Sequence, residues 1–78
     1  MKSIIVHRPR SANYTPADLM TAYAKDAKSG YVKTFQTRFF EQRLIISGVQ
    51  YKYHHWQIDE LPGEIDRITL FLEEVKNT

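Results

Sequence analysis

The sequence predicts a small α+β domain in which an antiparallel sheet of three to four strands carries two helices packed on one face. The 78 residues fall below the usual domain size of about 100–150, so we expect residues 1–78 to form a single domain. The 42% hydrophobic and 13% aromatic content is too high for a chain that is disordered throughout. The apolar pattern then predicts the element order β-α-β-β-β-α.

The chain begins with a predicted strand and a basic loop. Residues 3–8 contain three consecutive β-branched side chains, which favour a strand, and Pro9 then ends the ladder of backbone hydrogen bonds. We expect this strand to pair at an edge of the sheet. Residues 9–14 form the basic loop. Arg8 at the end of the strand and Pro9 and Arg10 at the start of the loop give the sequence Arg-Pro-Arg.

The first helix has sequence signals at both of its ends. Thr15 is a favourable N-cap, and Pro16 suits the first helical position because its missing N–H costs no hydrogen bond there. Lys25 and Lys28 lie near the C-terminal end, where the helix dipole favours positive charge, and Gly30 suits the position just after the helix.

The middle of the chain predicts three strands. Residues 31–40 alternate between apolar and polar side chains, and residues 43–47 form a second apolar run. Ser47 and Gly48 suit a tight two-residue reversal, after which residues 49–58 return antiparallel. The register stays open, because two adjacent apolar pairs break the alternation: Phe39 with Phe40, and Ile45 with Ile46.

A second helix is predicted after a break at Pro62 and Gly63. Acidic residues fall in its first turn, where the helix dipole favours them. Its apolar residues recur at helical spacing, namely Ile65, Ile68, Leu72 and Val75. Residues 77–78 are expected to be a frayed end.

The net charge of +2 conceals an asymmetry along the chain. Residues 1–57 hold nine basic and three acidic side chains, whereas residues 58–78 hold two basic and six acidic ones. The body is therefore +6 and the C-terminal segment −4. Such a chain could meet an acidic partner with one face and a basic partner with another, or both sets could simply solvate exposed surfaces.

Sequence motifs for catalysis and metal binding are absent. A chain without cysteine has no disulfide, no thiolate zinc site and no thiol nucleophile, and its three isolated glycines form no phosphate-binding loop. His54 and His55 are adjacent, and adjacent residues of a regular strand point to opposite faces, so both could ligate one ion only at a bulge. We therefore expect no catalytic residues, no cofactor and no metal site.

Aromatic and basic side chains interleave in the predicted sheet and point to a binding surface. Rings beside cations suit protein hot spots as well as nucleotide stacking, although some of these rings must form the core. Under strict alternation neither face of residues 49–58 is clearly apolar, which suggests that the outer face is not ordinary solvent-facing surface. The predicted partner-binding residues are Arg8, Arg10, Lys33, Arg38, Arg43, Tyr51, Lys52, Tyr53, His54 and Trp56.

Three functions fit these features. The first is a non-catalytic binding protein that covers a surface of a larger protein or nucleoprotein as an inhibitor or regulator. Phage and mobile-element inhibitors of host defence are commonly small domains of this kind, and the comparison is an analogy and not a sequence match. The alternative is a nucleic-acid-binding protein that uses a basic, aromatic sheet face. The third is a metal-independent, toxin-like ribonuclease using Arg38, Arg43, Lys52, Tyr53 and His54.

The expected setting is the cytoplasm, without membrane insertion. No apolar run approaches the roughly 18–20 residues that span a bilayer, and the N-terminal residues lack the long apolar segment and cleavage site of a signal peptide. A core of this size supplies only about 3–5 kcal/mol of net stability, so a homodimer is compatible with the sequence.

Overall fold

The computed structural model describes residues 1–27 and 30–76, which form five strands and one helix. The strands are antiparallel and lie in the order β1-β5-β4-β3-β2, so that β1 and β2 form the two edges of a curled sheet. The elements are β1 (Lys2–Pro9), α1 (Pro16–Ala27), β2 (Val32–Gln36), β3 (Gln42–Ile46), β4 (Val49–Leu61) and β5 (Ile65–Glu74).

The predicted fold class is wrong in its second helix and in its strand count. The segment expected to form that helix is β5, the strand that lies between β1 and β4. Its apolar residues fit two periods, because Ile65, Ile68 and Leu72 recur at helical spacing while Ile68, Leu70 and Leu72 alternate as in a strand. Pairing on both sides favours the strand, in which all three alternating residues are fully buried.

The predicted start of the first helix is confirmed. The Asp18 N–H donates to Thr15 Oγ1 at 3.2 Å, and the Thr15 N–H donates to Asp18 Oδ2 at 3.0 Å. This reciprocal capping box satisfies a backbone donor at the helix start and fixes the direction in which the chain enters α1. Leu19 and Met20 then pack against the sheet. Lys28, the predicted basic residue near the helix end, lies outside the described residues, as does the frayed end at residues 77–78.

The core lies between α1 and one face of the sheet. We call this side the helix-covered face and the opposite side the helix-free face. β5 supplies three of the buried apolar side chains because, as the middle partner of β1 and β4, it lies in the most enclosed part of the sheet. The buried apolar residues are Ile4, Val6, Leu19, Met20, Leu44, Ile68, Leu70 and Leu72.

A β-bulge in β4 decides which of its side chains face the core. The pairing with β5 shifts between Tyr53, which lies opposite Leu72, and His55, which lies opposite Phe71. One extra residue therefore separates Tyr53 from Trp56, and both rings pack against the core cluster. The ambiguity that the sequence showed in this strand follows from the bulge, because neither strict alternation places all the apolar residues on one side.

The hairpin turns use backbone conformations in the left-handed region. Ser47 has φ 51° and Gly48 has φ 82°, and the flanking Ile46 and Val49 pair directly, which confirms the predicted two-residue reversal. The turn between β4 and β5 is similar, with Gly63 at φ 84° and Glu64 at φ 59°. The long β4–β5 hairpin accounts for the elongated shape, which measures 44 × 24 × 23 Å.

None of the helical structure within residues 1–27 and 30–76 is long and apolar enough to cross a bilayer.

Candidate functional site

The loop that joins β2 to β3 exposes two adjacent phenylalanine rings. Phe39 is 76% exposed and Phe40 is 82% exposed, so neither ring contributes to the core. The sequence placed both residues inside a strand spanning 31–40, but β2 ends at Gln36. We call Arg38, Phe39 and Phe40 the aromatic tip. Arg38 was among the predicted partner-binding residues, and the break in alternation at Phe39–Phe40 is the sequence signal that could have added the two rings.

Hydrogen bonds to Thr37 give the aromatic tip a defined shape. The Thr37 N–H donates to the Glu41 carbonyl at 2.8 Å, and the Phe40 N–H donates to the Thr37 carbonyl at 2.9 Å. The Thr37 hydroxyl oxygen also accepts from the N–H groups of Phe39 at 3.3 Å and Glu41 at 3.2 Å. The exposed rings therefore extend from a closed turn whose backbone groups satisfy one another.

Phe40 adopts a backbone conformation that is unfavourable for a bulky side chain. Its φ of 64° lies in the left-handed region, where the Cβ atom crowds the backbone and glycine is the favoured residue. Strain of this kind costs about 1–3 kcal/mol. Since the ring is almost fully exposed, burial within this chain does not offset that cost.

Positive charge adjoins the rings. The Arg38 guanidinium carbon lies 5.0 Å from the centre of the Phe39 ring, within the range of a cation–π interaction. On the same hairpin, Lys33 is exposed, and Arg43 pairs with Glu41 across 3.1 Å and donates to Gln50 at 2.8 Å.

The predicted basic residues of the sheet lie in neighbouring strands on the helix-free face. Arg43 of β3 lies opposite Phe35 of β2 on one side and Lys52 of β4 on the other. Lys52 in turn lies opposite Glu73, with 3.9 Å between the ammonium nitrogen and a carboxylate oxygen. The structure thus places Lys33, Arg43 and Lys52 on one face of neighbouring strands. Arg43 is near the end of β3 that carries the aromatic tip, whereas Lys33, opposite Ile45, is near the end that carries the turn at Ser47 and Gly48.

Arg10 makes intramolecular contacts at the other edge of the sheet. Its Nε lies 2.9 Å from Asp66 Oδ1, and Nη2 donates to the backbone carbonyls of Leu61 at 2.9 Å and Ile65 at 3.3 Å. The hydrogen bond to Asp66 raises the pKa of the Arg10 guanidinium above its ordinary value. Arg10 therefore fastens the loop after β1 to the β4–β5 hairpin. Its predicted contact with a partner stays a prediction.

Asp66, the shared partner of Arg10 and Tyr14, was not among the residues predicted from the sequence. It is 6% exposed, and it also accepts a hydrogen bond from the Tyr14 hydroxyl at 3.2 Å. Burial and then the negative charge of Asp66 raise the pKa of Tyr14. The sequence does contain a signal for this role: Asp66 alternates with the apolar residues Ile68, Leu70 and Leu72, so it falls on the face that they bury. An acidic residue on a buried face needs a hydrogen-bond donor as a partner.

The predicted aromatic residues of β4 lie on the helix-covered face. Tyr51, Tyr53 and Trp56 are partly buried and pack against the core cluster. The Trp56 ring stands edge-on to Tyr14, with 5.8 Å between ring centres, and to Tyr53, with 6.3 Å. Any partner contact through these three rings would be limited to the parts of them that remain exposed.

Arg8 and His54 lie apart from each other. Arg8 is in β1, where its Nη1 donates to the His7 carbonyl at 2.8 Å. β1 and β2 are opposite edges of the sheet, so Arg8 lies across the sheet from Lys33. His54 occupies the bulge in β4, and its Nδ1 lies 2.7 Å from Nδ1 of His55. The described residues contain no group of three or more His, Cys, Asp or Glu placed to hold a metal ion.

Comparisons of this chain with protein families, with curated proteins and with solved structures found no match.

Proposed function

We propose that this protein is a non-catalytic binding protein that docks through its aromatic tip onto the surface of a larger protein. The observation that carries the proposal is Phe40, which combines an exposed ring with a strained backbone. In the free protein the Phe40 ring adds nothing to the core, while its side chain makes the left-handed backbone conformation less stable. Burial in a partner's pocket would recover this cost, since buried aromatic anchors dominate binding energy at protein interfaces.

The closed turn supports this role in a second way. Binding orders flexible side chains and loops at a cost of about 0.5–1.5 kcal/mol for each immobilised side chain. The hydrogen bonds to Thr37 already order the backbone that carries Phe39 and Phe40. Because this backbone is already ordered in the free protein, docking loses less conformational entropy than it would with a flexible loop.

The charges around the aromatic tip indicate what kind of surface fits it. Arg38 is exposed beside the Phe39 ring. Lys33 is exposed on the same hairpin but lies farther from the rings, opposite Ile45. Arg43 is partly buried and has Glu41 as its ion-pair partner. We therefore expect the partner to offer an apolar pocket with an acidic rim, because complementary charge steers association and fixes orientation. The cytoplasm is part of the proposal, and a chain without cysteine is compatible with it because its fold depends on no disulfide.

Protein is favoured over nucleic acid as the partner by the position of the rings. Stacking on a sheet needs several aromatic faces beside the cations. Phe35 lies beside Arg43, but Tyr51, Tyr53 and Trp56 lie on the side away from Lys33 and Lys52. A salt series tests this choice. Binding to mixed RNA and DNA fragments that weakens steeply with salt would favour the nucleic-acid alternative.

The sharpest test of the proposal is Phe40→Gly. Glycine relieves the left-handed strain, so we expect the free energy of unfolding to rise by up to about 1 kcal/mol. Loss of the ring should weaken partner binding by at least about 2 kcal/mol, or roughly thirtyfold in Kd. The partner is first isolated from nuclease-treated lysate, and the Kd is then measured by calorimetry with both purified proteins.

Ser47→Gly is the matched control for this variant. Ser47 also has a positive φ, but it lies at the opposite end of β3 from Phe40. We expect similar or smaller stabilisation and an unchanged Kd. An unchanged Kd for Phe40→Gly, or loss of the partner after nuclease treatment, would contradict the proposed function.

A further inference from the structure

We propose that His54 and His55 form a two-nitrogen binding site for a Cu(II) or Ni(II) ion on the helix-free face. The proposal is independent of the aromatic tip and of the proposed function. It goes against the expectation of no metal site, and that expectation rested on the opposite orientation of adjacent side chains in a regular strand.

The β-bulge removes that obstacle. The pairing shifts between Tyr53 and His55, so that His54 is the extra residue of β4. The two imidazole rings then meet edge-on, with 4.9 Å between their centres, 75° between their planes and a hydrogen bond of 2.7 Å between their Nδ1 atoms. Without an ion, one Nδ1 carries a proton and donates it to the other, and a metal ion bound by both nitrogens would take the place of that proton.

The distance between the nitrogens favours particular ions. An ion about 2.0–2.1 Å from both nitrogens would form an N–metal–N angle of roughly 80–85°. Neighbouring ligands in the square-planar or tetragonal geometry of Cu(II) and Ni(II) subtend about 90°. Tetrahedral Zn(II) prefers about 109°, which would need the nitrogens to be roughly 3.3 Å apart. The pair is thus closer to a Cu(II) or Ni(II) chelate than to a zinc site.

The surroundings hold one ring in place and leave the site accessible. The His55 ring stacks on Phe71, with 4.5 Å between ring centres and 10° between the planes. Both histidines are exposed, so an ion can reach them from solvent. Since no third protein ligand stands with them among the described residues, water or a partner side chain would complete the coordination.

Titration of Cu(II) into the purified full chain tests the site. We expect one tightly bound ion per chain, with nitrogen hyperfine splitting from two imidazoles in the electron paramagnetic resonance spectrum. His54→Ala and His55→Ala should each weaken binding by at least about tenfold, because each removes one arm of the chelate. His7→Ala is the matched control, since His7 is an exposed histidine of β1, and it should leave the affinity unchanged.

Two results would overturn the proposal. One is Cu(II) binding of undiminished affinity in the His54→Ala/His55→Ala double variant. The other is binding of Zn(II) that is as tight as that of Cu(II), because the short nitrogen separation would then not select the ion. Circular dichroism of each variant without metal confirms that the fold is kept, so that weaker binding reports the loss of ligands.

Discussion

At the scale of single residues, Asp66 has the most demanding environment. It is the one charged side chain that is buried within residues 1–27 and 30–76, and a buried carboxylate is costly unless donors surround it. Arg10 and Tyr14 supply those donors at 2.9 and 3.2 Å. Both donors belong to the segment between β1 and α1. The network therefore fixes the path of a loop that has little regular structure of its own.

Asp66→Ala should destabilise the fold by about 1–3 kcal/mol, because two donors lose their shared acceptor at a buried position. Asp59→Ala is the matched control. Asp59 lies 3.4 Å from Arg67 in a partly exposed pair and accepts a hydrogen bond from Gln57 at 3.3 Å. Its loss should cost no more than about 0.5 kcal/mol. Urea denaturation of both variants measures the difference. Equal losses would show that the buried network adds nothing beyond an ordinary surface ion pair.

The elements that could be predicted from the sequence carry local signals. The cap at Thr15 and Pro16, the β-branched run of β1 and the turn at Ser47 and Gly48 each depend on neighbouring residues, and the structure has all three. β5 could not be assigned in this way, because its conformation depends on pairing with other strands: with β1, which lies far away in sequence, and with β4, the other strand of its hairpin. The bulge could not be predicted either, because the register is a property of two paired strands and cannot be read from one of them.

Deletion of His54 tests the bulge at the scale of the element. Without this residue, Tyr53, His55 and Trp56 alternate regularly, so β4 can keep its pairing with β5 and its apolar side chains on the helix-covered face. We expect a folded protein with a cooperative thermal transition.

Deletion of Gln57 is the matched control for the bulge. It leaves the bulge in place but shifts the pairs that follow, including Ile58 with Ile68. A shift of one residue turns the side chains beyond it to the opposite face, so this variant should unfold or lose several kcal/mol. Equal tolerance of both deletions, measured by circular dichroism melting, would contradict the assigned register.

At the scale of the whole molecule, part of the charge asymmetry is neutralised by the fold. The acidic C-terminal segment pairs with the basic body through Asp66 with Arg10 and through Glu73 with Lys52. These two pairs bring charges of the +6 and −4 segments together, and the binding of separate partners by the two segments stays a prediction. The positive charge that remains beside exposed apolar surface includes Arg38, which lies against Phe39 in the aromatic tip.

The candidate site could be predicted only in part. Lys33, Arg38 and Arg43 were chosen from the sequence and lie on one hairpin. Phe39 and Phe40 were not chosen, because an aromatic pair in a strand-like run has the composition of a core. Only the fold shows that β2 and β3 both stop short of them.

Site-specific photo-crosslinking shows whether the aromatic tip is the part of the protein that contacts a partner. A benzophenone analogue of phenylalanine replaces Phe39 in one variant and Ile5 in another. Ile5 is 54% exposed, but it lies on β1 at the opposite edge of the sheet. We predict a covalent adduct with a protein partner from position 39 and none from position 5. An adduct from position 5 alone, or adducts with nucleic acid only, would contradict docking through the aromatic tip.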